Sequence, residues 1–285
     1  MIAKCRRRLR AVFGVLVALA SPCAFATAAS VSAPLAIGET FTIESKVLGE
    51  TRRINAYLPP GYAKSDVRMP VLYMPDGGIG EDFLHVAGLV QVSVGNGTMR
   101  PFILVGIQNT ERRRDLTGPT DNAEDRTIAP RIGGSAAFRR FFREELIPEI
   151  RKRYRTTHET AIVGESLAGL FVVETFFLEP DLFDTYIAID PSLWWNDHKL
   201  VDGAAASLYA RPRLAKSLFL ASSSEFRGDV DPTRSLAEIL RADAPAGVRW
   251  HYEAMPDEKH ATIYHPAALK AFRMMFAPPS SSVSK

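Results

Sequence analysis

Three residue types, far apart in this chain, have the chemistry needed for nucleophilic catalysis. Ser166 stands in Gly164-Glu165-Ser166-Leu167-Ala168-Gly169, between a short apolar run, Ala161-Ile162-Val163, and an apolar stretch of helical character. Strand, sharp turn and helix with a serine at the turn is the form of a nucleophile elbow, which pushes the hydroxyl out above the sheet edge. Small residues are needed on both sides because the helix packs close against the strand. The usual pattern is G-x-S-x-G; here Ala168 takes the fifth position and the glycine follows one later. The same letters also describe an ordinary strand-to-helix turn, so the remaining groups must decide.

A serine hydroxyl is a weak nucleophile at neutral pH. It needs a base within hydrogen-bond reach, and the base needs an acid to orient it. Of the six histidines, His260 lies in the loop after the last expected strand, where the base belongs, and His265 at the start of the next helix is the alternative. His251 sits inside a strand between Trp250 and Tyr252, and His85, His158 and His198 lie in the wrong places along the chain. The order nucleophile, acid, histidine puts the acid after the strand before the last. Glu225 is there and is the expected acid; Asp190, ending the preceding strand, is its rival, with Asp229 and Asp231 close behind Glu225. A developing oxyanion needs backbone N–H donors. Leu167 directly after the serine is one candidate, and Gly78 in Asp76-Gly77-Gly78 after the first buried strand is the other. Asp76, Arg112, Arg114, Trp194 and Trp195 complete the candidate substrate-binding set. Arginines would hold an acidic or catecholate group and tryptophans would wall an aromatic one. The bland alternative is that the arginines pair with loop acids and one tryptophan is core.

These residues need a frame. FTIESKV (41–47) and RINAYL (53–58) alternate as two antiparallel strands. Compact apolar runs at 71–74, 102–107, 161–163, 186–189, 218–221 and 248–254 read as strands, separated by helical stretches at 82–94, 138–154, 167–177, 198–210, 232–240 and 267–276. Ser135 is expected to cap the second of these, and Pro148 to kink it. Residues 108–134 form a long polar loop. Strands alternating with helices imply a mostly parallel sheet covered on both faces, the α/β-hydrolase layout, with ligands beyond the carboxyl ends of the strands. The domain is expected over 38–276 and a Ser-rich disordered tail over 277–285.

The first 26 residues read differently. Lys4, Arg6, Arg7, Arg8 and Arg10 precede a short apolar run and an A-x-A site ending at Ala26, the pattern of a secretory signal peptide. A linker at 27–37 follows. The leader holds five of the 35 basic residues and none of the 32 acidic ones, which turns a net charge of +3 into −2 for the remainder. A nucleic-acid surface is therefore not expected, nor is membrane insertion of the mature chain. Both cysteines, Cys5 and Cys23, lie in the leader, so the mature chain has no disulfide or thiol chemistry. No metal or organic cofactor is expected. Location outside the cytoplasm, secreted or periplasmic, follows from the leader.

The runs RPFILVGIQNTERRRDLTGP, FRRFFREELIPEIRKRYRT, VGESLAGLFVVETFF, EPDLFDTYIAIDPSLWWND and EKHATIYHPA, in this order, resemble the putative-esterase family, which includes enterochelin (ferric-siderophore) and feruloyl esterases. The resemblance covers about residues 38–276. It implies an α/β-hydrolase fold, ester hydrolysis through an acyl-serine at Ser166, His260 as base, and Gly78 with Leu167 as oxyanion hole. Relatives often carry serine where this chain has Asp190. The partner implied is a small-molecule ester. Acyl transfer on the same site, or ligand binding without catalysis on the same scaffold, are the alternatives.

Overall fold

The computed structural model describes residues 32–279, and from Ala36 onward they form one compact unit. The expected leader, most of the linker and the end of the tail, with both cysteines, lie outside the described residues. Residues 32–37 and 277–279 carry no helix or strand.

The elements follow the apolar runs. They are β1 (Glu39–Ser45), β2 (Glu50–Tyr57), β3 (Met69–Met74), α1 (Phe83–Gly95), β4 (Ile103–Ile107), α2 (Arg112–Leu116), α3 (Ser135–Phe141), α4 (Ile147–Arg153), β5 (Thr156–Glu165), α5 (Leu167–Leu178), β6 (Thr185–Ile189), α6 (Lys199–Asp202), α7 (Ala204–Tyr209), β7 (Ser217–Ser222), α8 (Pro232–Asp243), β8 (Arg249–Ala254) and α9 (Tyr264–Met275). The strands form one eight-stranded sheet in the order β1-β2-β4-β3-β5-β6-β7-β8. β2 pairs antiparallel with β1 and β4, and every other pairing is parallel. This is the α/β-hydrolase fold.

The two-residue period of the strands sorts their side chains into two cores. Val71, Tyr73, Ile162, Tyr186 and Leu220 face the layer containing α3, α4, α5, α7 and α8. Leu72, Met74, Val163, Ile187 and Phe219 face α1 and α9. Both faces are covered, so the central strands read as unbroken apolar runs. Helix α5 is buried from Leu167 through Phe177, which explains why it shows no polar face.

One local expectation is corrected. Gly134, not Ser135, takes the N-cap position of α3, and the buried Ser135 hydroxyl has no partner. Pro148 breaks the regularity of this stretch without ending it. It lacks the N–H that would bond back along the helix, and a π turn at Phe142–Leu146 takes up the mismatch just before it.

The polar stretch 108–134 is ordered by charge. The fully buried Arg52 of β2 brings Nη1 within reach of Asp115 (2.6 Å), Thr110 (2.7 Å) and Glu50 (2.8 Å). Arg114 bonds the same Asp115 and Glu50, each at 2.7 Å. A buried guanidinium is tolerated only when paired in this way. The network pins α2 to β2 and fixes where Arg112 starts.

Candidate active site

The serine sits on strained backbone. Ser166 has φ 59° and ψ −121°, between the end of β5 and the first residue of α5. A bulky residue here costs energy, and the surrounding hydrogen bonds hold the conformation. The Ser166 N–H donates to Ile189 O (3.1 Å), and its carbonyl accepts from Leu170 (2.9 Å) and Ser192 (3.0 Å). A Cβ on Gly164 would lie 2.6 Å from the backbone carbonyl of Ala168, so that position must be glycine. Ala168 keeps its methyl because Gly164 lacks one. Gly169 gives the close approach to Pro191.

His260, in the loop between β8 and α9, meets the serine. Its Nε2 is 3.1 Å from Ser166 Oγ, and its Nδ1 is 2.7 Å from Asp190 Oδ2. The expectation that Glu225 orients the ring is corrected by this geometry. Glu225 accepts the backbone N–H of His260 at 3.1 Å and holds the loop instead. The reason is strand register. Ile189 pairs with Glu165 across β5 and β6, so the residues that follow, Asp190 and Ser166, leave the sheet side by side. Asp190 is buried, with φ 44°, and accepts Ser223 N–H (2.9 Å) and Ser223 Oγ (2.8 Å) besides the imidazole. The Asp190 hydrogen bond raises the His260 pKa above its ordinary value; burial opposes it, and the charges of Glu165, Asp190 and Glu225 add to it. The alternative base, His265, bonds His85 at 2.9 Å and takes no part here. Asp231 caps α8 through Thr233 N–H, which removes it as an acid.

The two oxyanion candidates differ. Leu167 is the first residue of α5, so its N–H has no acceptor within the helix. The Gly78 N–H already donates to the Glu81 carboxylate at 2.6 Å. Glu81 also closes the turn by giving its own N–H to Gly78 O (3.0 Å). The expectation of a free Gly78 donor is therefore corrected: a carboxylate three residues on in sequence occupies it.

The substrate-side residues divide. Trp194 lines a cavity of about 330 Å³ together with Ser166, Asp190, Ser192, Glu225, Phe226, Arg227 and His260. Trp195 does not. It is buried, and its indole N–H donates to Gly118 O at 3.0 Å. Arg112 grips Asp76 through two bonds of 2.7 and 2.8 Å, so these two groups satisfy one another and leave no open charge. Arg114 belongs to the Arg52 network. Trp194 keeps one side in the cavity while Trp195 turns into the core, and Arg112 and Arg114, two residues apart on α2, bond different carboxylates.

Reasoning from sequence missed three residues. Arg227 places its guanidinium 3.9 Å from the centre of the Trp194 ring, a cation–π contact inside the cavity. Phe226 beside it is half-exposed. The signal was an aromatic–basic pair in the Glu225 loop. Glu165 places Oε1 3.2 Å from His260 Nε2. Its only signal was a carboxylate inside the elbow motif itself. Among the described residues no cluster of three or more His, Cys, Asp or Glu side chains is arranged to hold a metal, and no helix is long and apolar enough to cross a membrane.

A serine on a strained elbow, a histidine on its hydroxyl and a buried aspartate on that histidine define the hydrolase class of this fold. Residues 45–261 match the family model described as "Putative esterase", and the chain belongs to that family. Among curated relatives it is 30% identical to the ferri-bacillibactin esterase BesA of Bacillus subtilis, over 68% of this chain and 70% of that one. It is 34% identical to a siderophore enterobactin esterase of Emericella nidulans, in a match spanning 37% of this chain and only 40% of that protein. Among solved structures, an IroE-like serine hydrolase from Shewanella oneidensis superposes with a TM-score of 0.72 at 30% identity, covering 84% of this chain and 80% of the other.

Proposed function

We propose that this chain is a serine carboxylic-ester hydrolase working through an acyl-Ser166 intermediate. Ser166 Oγ attacks the ester carbonyl while its proton passes to His260 Nε2. Asp190 holds the ring in the tautomer that leaves Nε2 free to accept, and it stabilises the imidazolium that forms. The N–H of Leu167 supports the oxyanion. His260 then gives its proton to the departing alcohol. Water, activated by the same nitrogen, releases the acid and frees the serine. The observation that carries this reading is one imidazole bonded at 3.1 Å to the elbow serine and at 2.7 Å to a buried carboxylate.

The substrate we infer is a catecholate or other aromatic-bearing ester of the siderophore kind. Relatives carry that activity in their names, and the cavity offers a tryptophan wall, a guanidinium on its face and a half-exposed phenylalanine. The signal-peptide pattern supports export, with action in the periplasm or beyond it. Mass spectrometry of products from ferric enterobactin tests the substrate. A gain of one water for each ester opened is expected. Rapid turnover of p-nitrophenyl acetate with the siderophore left intact would point to a different ester.

A further inference from the structure

His260 has an acidic neighbour on each side of its ring. Asp190 is on Nδ1, and Glu165 Oε1 is 3.2 Å from Nε2, the nitrogen that Ser166 Oγ also approaches at 3.1 Å. A ring nitrogen carries either a hydrogen or a lone pair. Protonated, Nε2 carries positive charge 3.2 Å from Glu165 Oε1, an ion-pair contact. Unprotonated, it accepts from Ser166. It cannot serve both.

Glu165 has little freedom to leave. It ends β5, directly before the strained serine, and its side chain is only 16% exposed. The groups facing it are few and known. Arg112 comes from α2, Asp76 from the loop after β3, and Asp82 from the N-cap of α1. Tyr264 of α9 is buried close by, and Asp190 and Glu225 lie beyond the ring. Arg112 is already held by both oxygens of Asp76, and Asp82 repels a second charge. The imidazole is therefore the cation that Glu165 meets directly.

We propose that the Glu165 carboxylate, by stabilising the protonated His260 ring against the form that accepts from Ser166, sets the pH at which the catalytic base becomes available. Glu165 is a positioning residue that acts through His260, and the inference rests on the Ser166–His260 reading above. Below the His260 midpoint Nε2 keeps its hydrogen, and Ser166 has no acceptor. Loss of that proton to solvent hands the lone pair to Ser166. During attack the serine proton moves to Nε2, and the imidazolium then stands between two carboxylates. Burial pushes the Glu165 carboxyl up to about 7, against the pull of His260 and Arg112, and the Asp190 bond raises His260. Two groups this close titrate as a pair.

The test is an NMR titration of His260, labelled at the imidazole Cε1, in the Ser166→Ala protein, which needs no turnover. It is run beside kcat/KM–pH profiles for p-nitrophenyl acetate with Ser166 intact. Glu165→Gln keeps the shape and removes the charge, whereas Glu165→Asp keeps the charge. The Gln variant is expected to lower the His260 midpoint and the acid limb of kcat/KM by about one pH unit, the scale of a carboxylate at contact distance. The Asp variant should shift them less than half as far. A midpoint unmoved by Gln, or moved equally by Gln and Asp, overturns the proposal. If the midpoint shifts but the intact protein hydrolyses no ester, the esterase reading fails and only the coupling of Glu165 to the His260 ring stands. If hydrolysis is normal and the midpoint does not shift, this one alone fails.

Discussion

Asp190 Oδ2 lies 2.7 Å from His260 Nδ1, while Ser223 donates its N–H to Oδ1 and its hydroxyl to Oδ2 of the same carboxylate. Three donors on one buried group fix its position, and the ring must follow it. Glu225 touches only the backbone of the same histidine. Asp190→Asn is expected to lower kcat for p-nitrophenyl butyrate by a factor on the order of 10³ to 10⁴, because the amide favours the wrong tautomer. Glu225→Gln should stay within a few-fold of the parent, about 1 kcal/mol, as befits one loop hydrogen bond. Equal losses in the two variants would return the orienting role to Glu225.

The elbow makes a steric prediction. Gly164→Ala would place its methyl 2.6 Å from the carbonyl of Ala168, so backbone must move. A stability loss of about 1–3 kcal/mol is expected, the usual cost of overpacking, with a larger fall in activity as Ser166 leaves its position. Urea unfolding and ester turnover measure the two effects. Unchanged stability would contradict the packing described here.

Trp194 and Trp195 should separate cleanly. Trp195→Ala empties a core site and removes a bond to Gly118 O. A loss of about 3–5 kcal/mol and a melting temperature lower by roughly 10 °C are expected. Trp194→Ala should barely change melting but raise KM for an aromatic ester by about tenfold, the value of one aromatic contact. KM for p-nitrophenyl acetate should change less. The opposite pattern would place Trp195, not Trp194, in the site.

The charge network on α2 predicts acid sensitivity. Burial alone would raise the Glu50 carboxyl, but hydrogen bonds from Arg114, Thr110 and Arg52 outweigh it and hold the pKa at about 2. A folded-state value depressed below the ordinary 4.5 contributes stability above that pH. The contribution is lost as pH falls toward about 2. Glu50→Gln should therefore melt lower than the parent at pH 7, and the gap should close between 4.5 and 2. A gap that does not change with pH would show that the carboxylate charge is not what stabilises α2.

Most of the frame was legible in the sequence because period and punctuation carry it. Val71–Met74 and Tyr186–Ile189 are apolar on both faces, as central parallel strands must be, and the elbow glycines mark close approach. His260 was legible because its loop follows the last strand. What sequence could not show depends on contacts across strands. Choosing Asp190 over Glu225 needs the register of β5 against β6, which no local pattern encodes. The Gly78 amide was assigned without sight of Glu81, whose carboxylate reaches it only when the turn closes. Arg112 and Asp76 both stand in the candidate substrate-binding set, yet their pairing spans 36 residues and leaves neither charge open.

Acylation of Ser166 with His260 as base is tested most directly by intact-mass and peptide-level mass spectrometry after treatment with a fluorophosphonate. One adduct per chain on the peptide carrying Ser166 is expected, absent in Ser166→Ala and slowed at least a hundredfold in His260→Ala. An adduct on another residue, or ester turnover that survives Ser166→Ala, would contradict it.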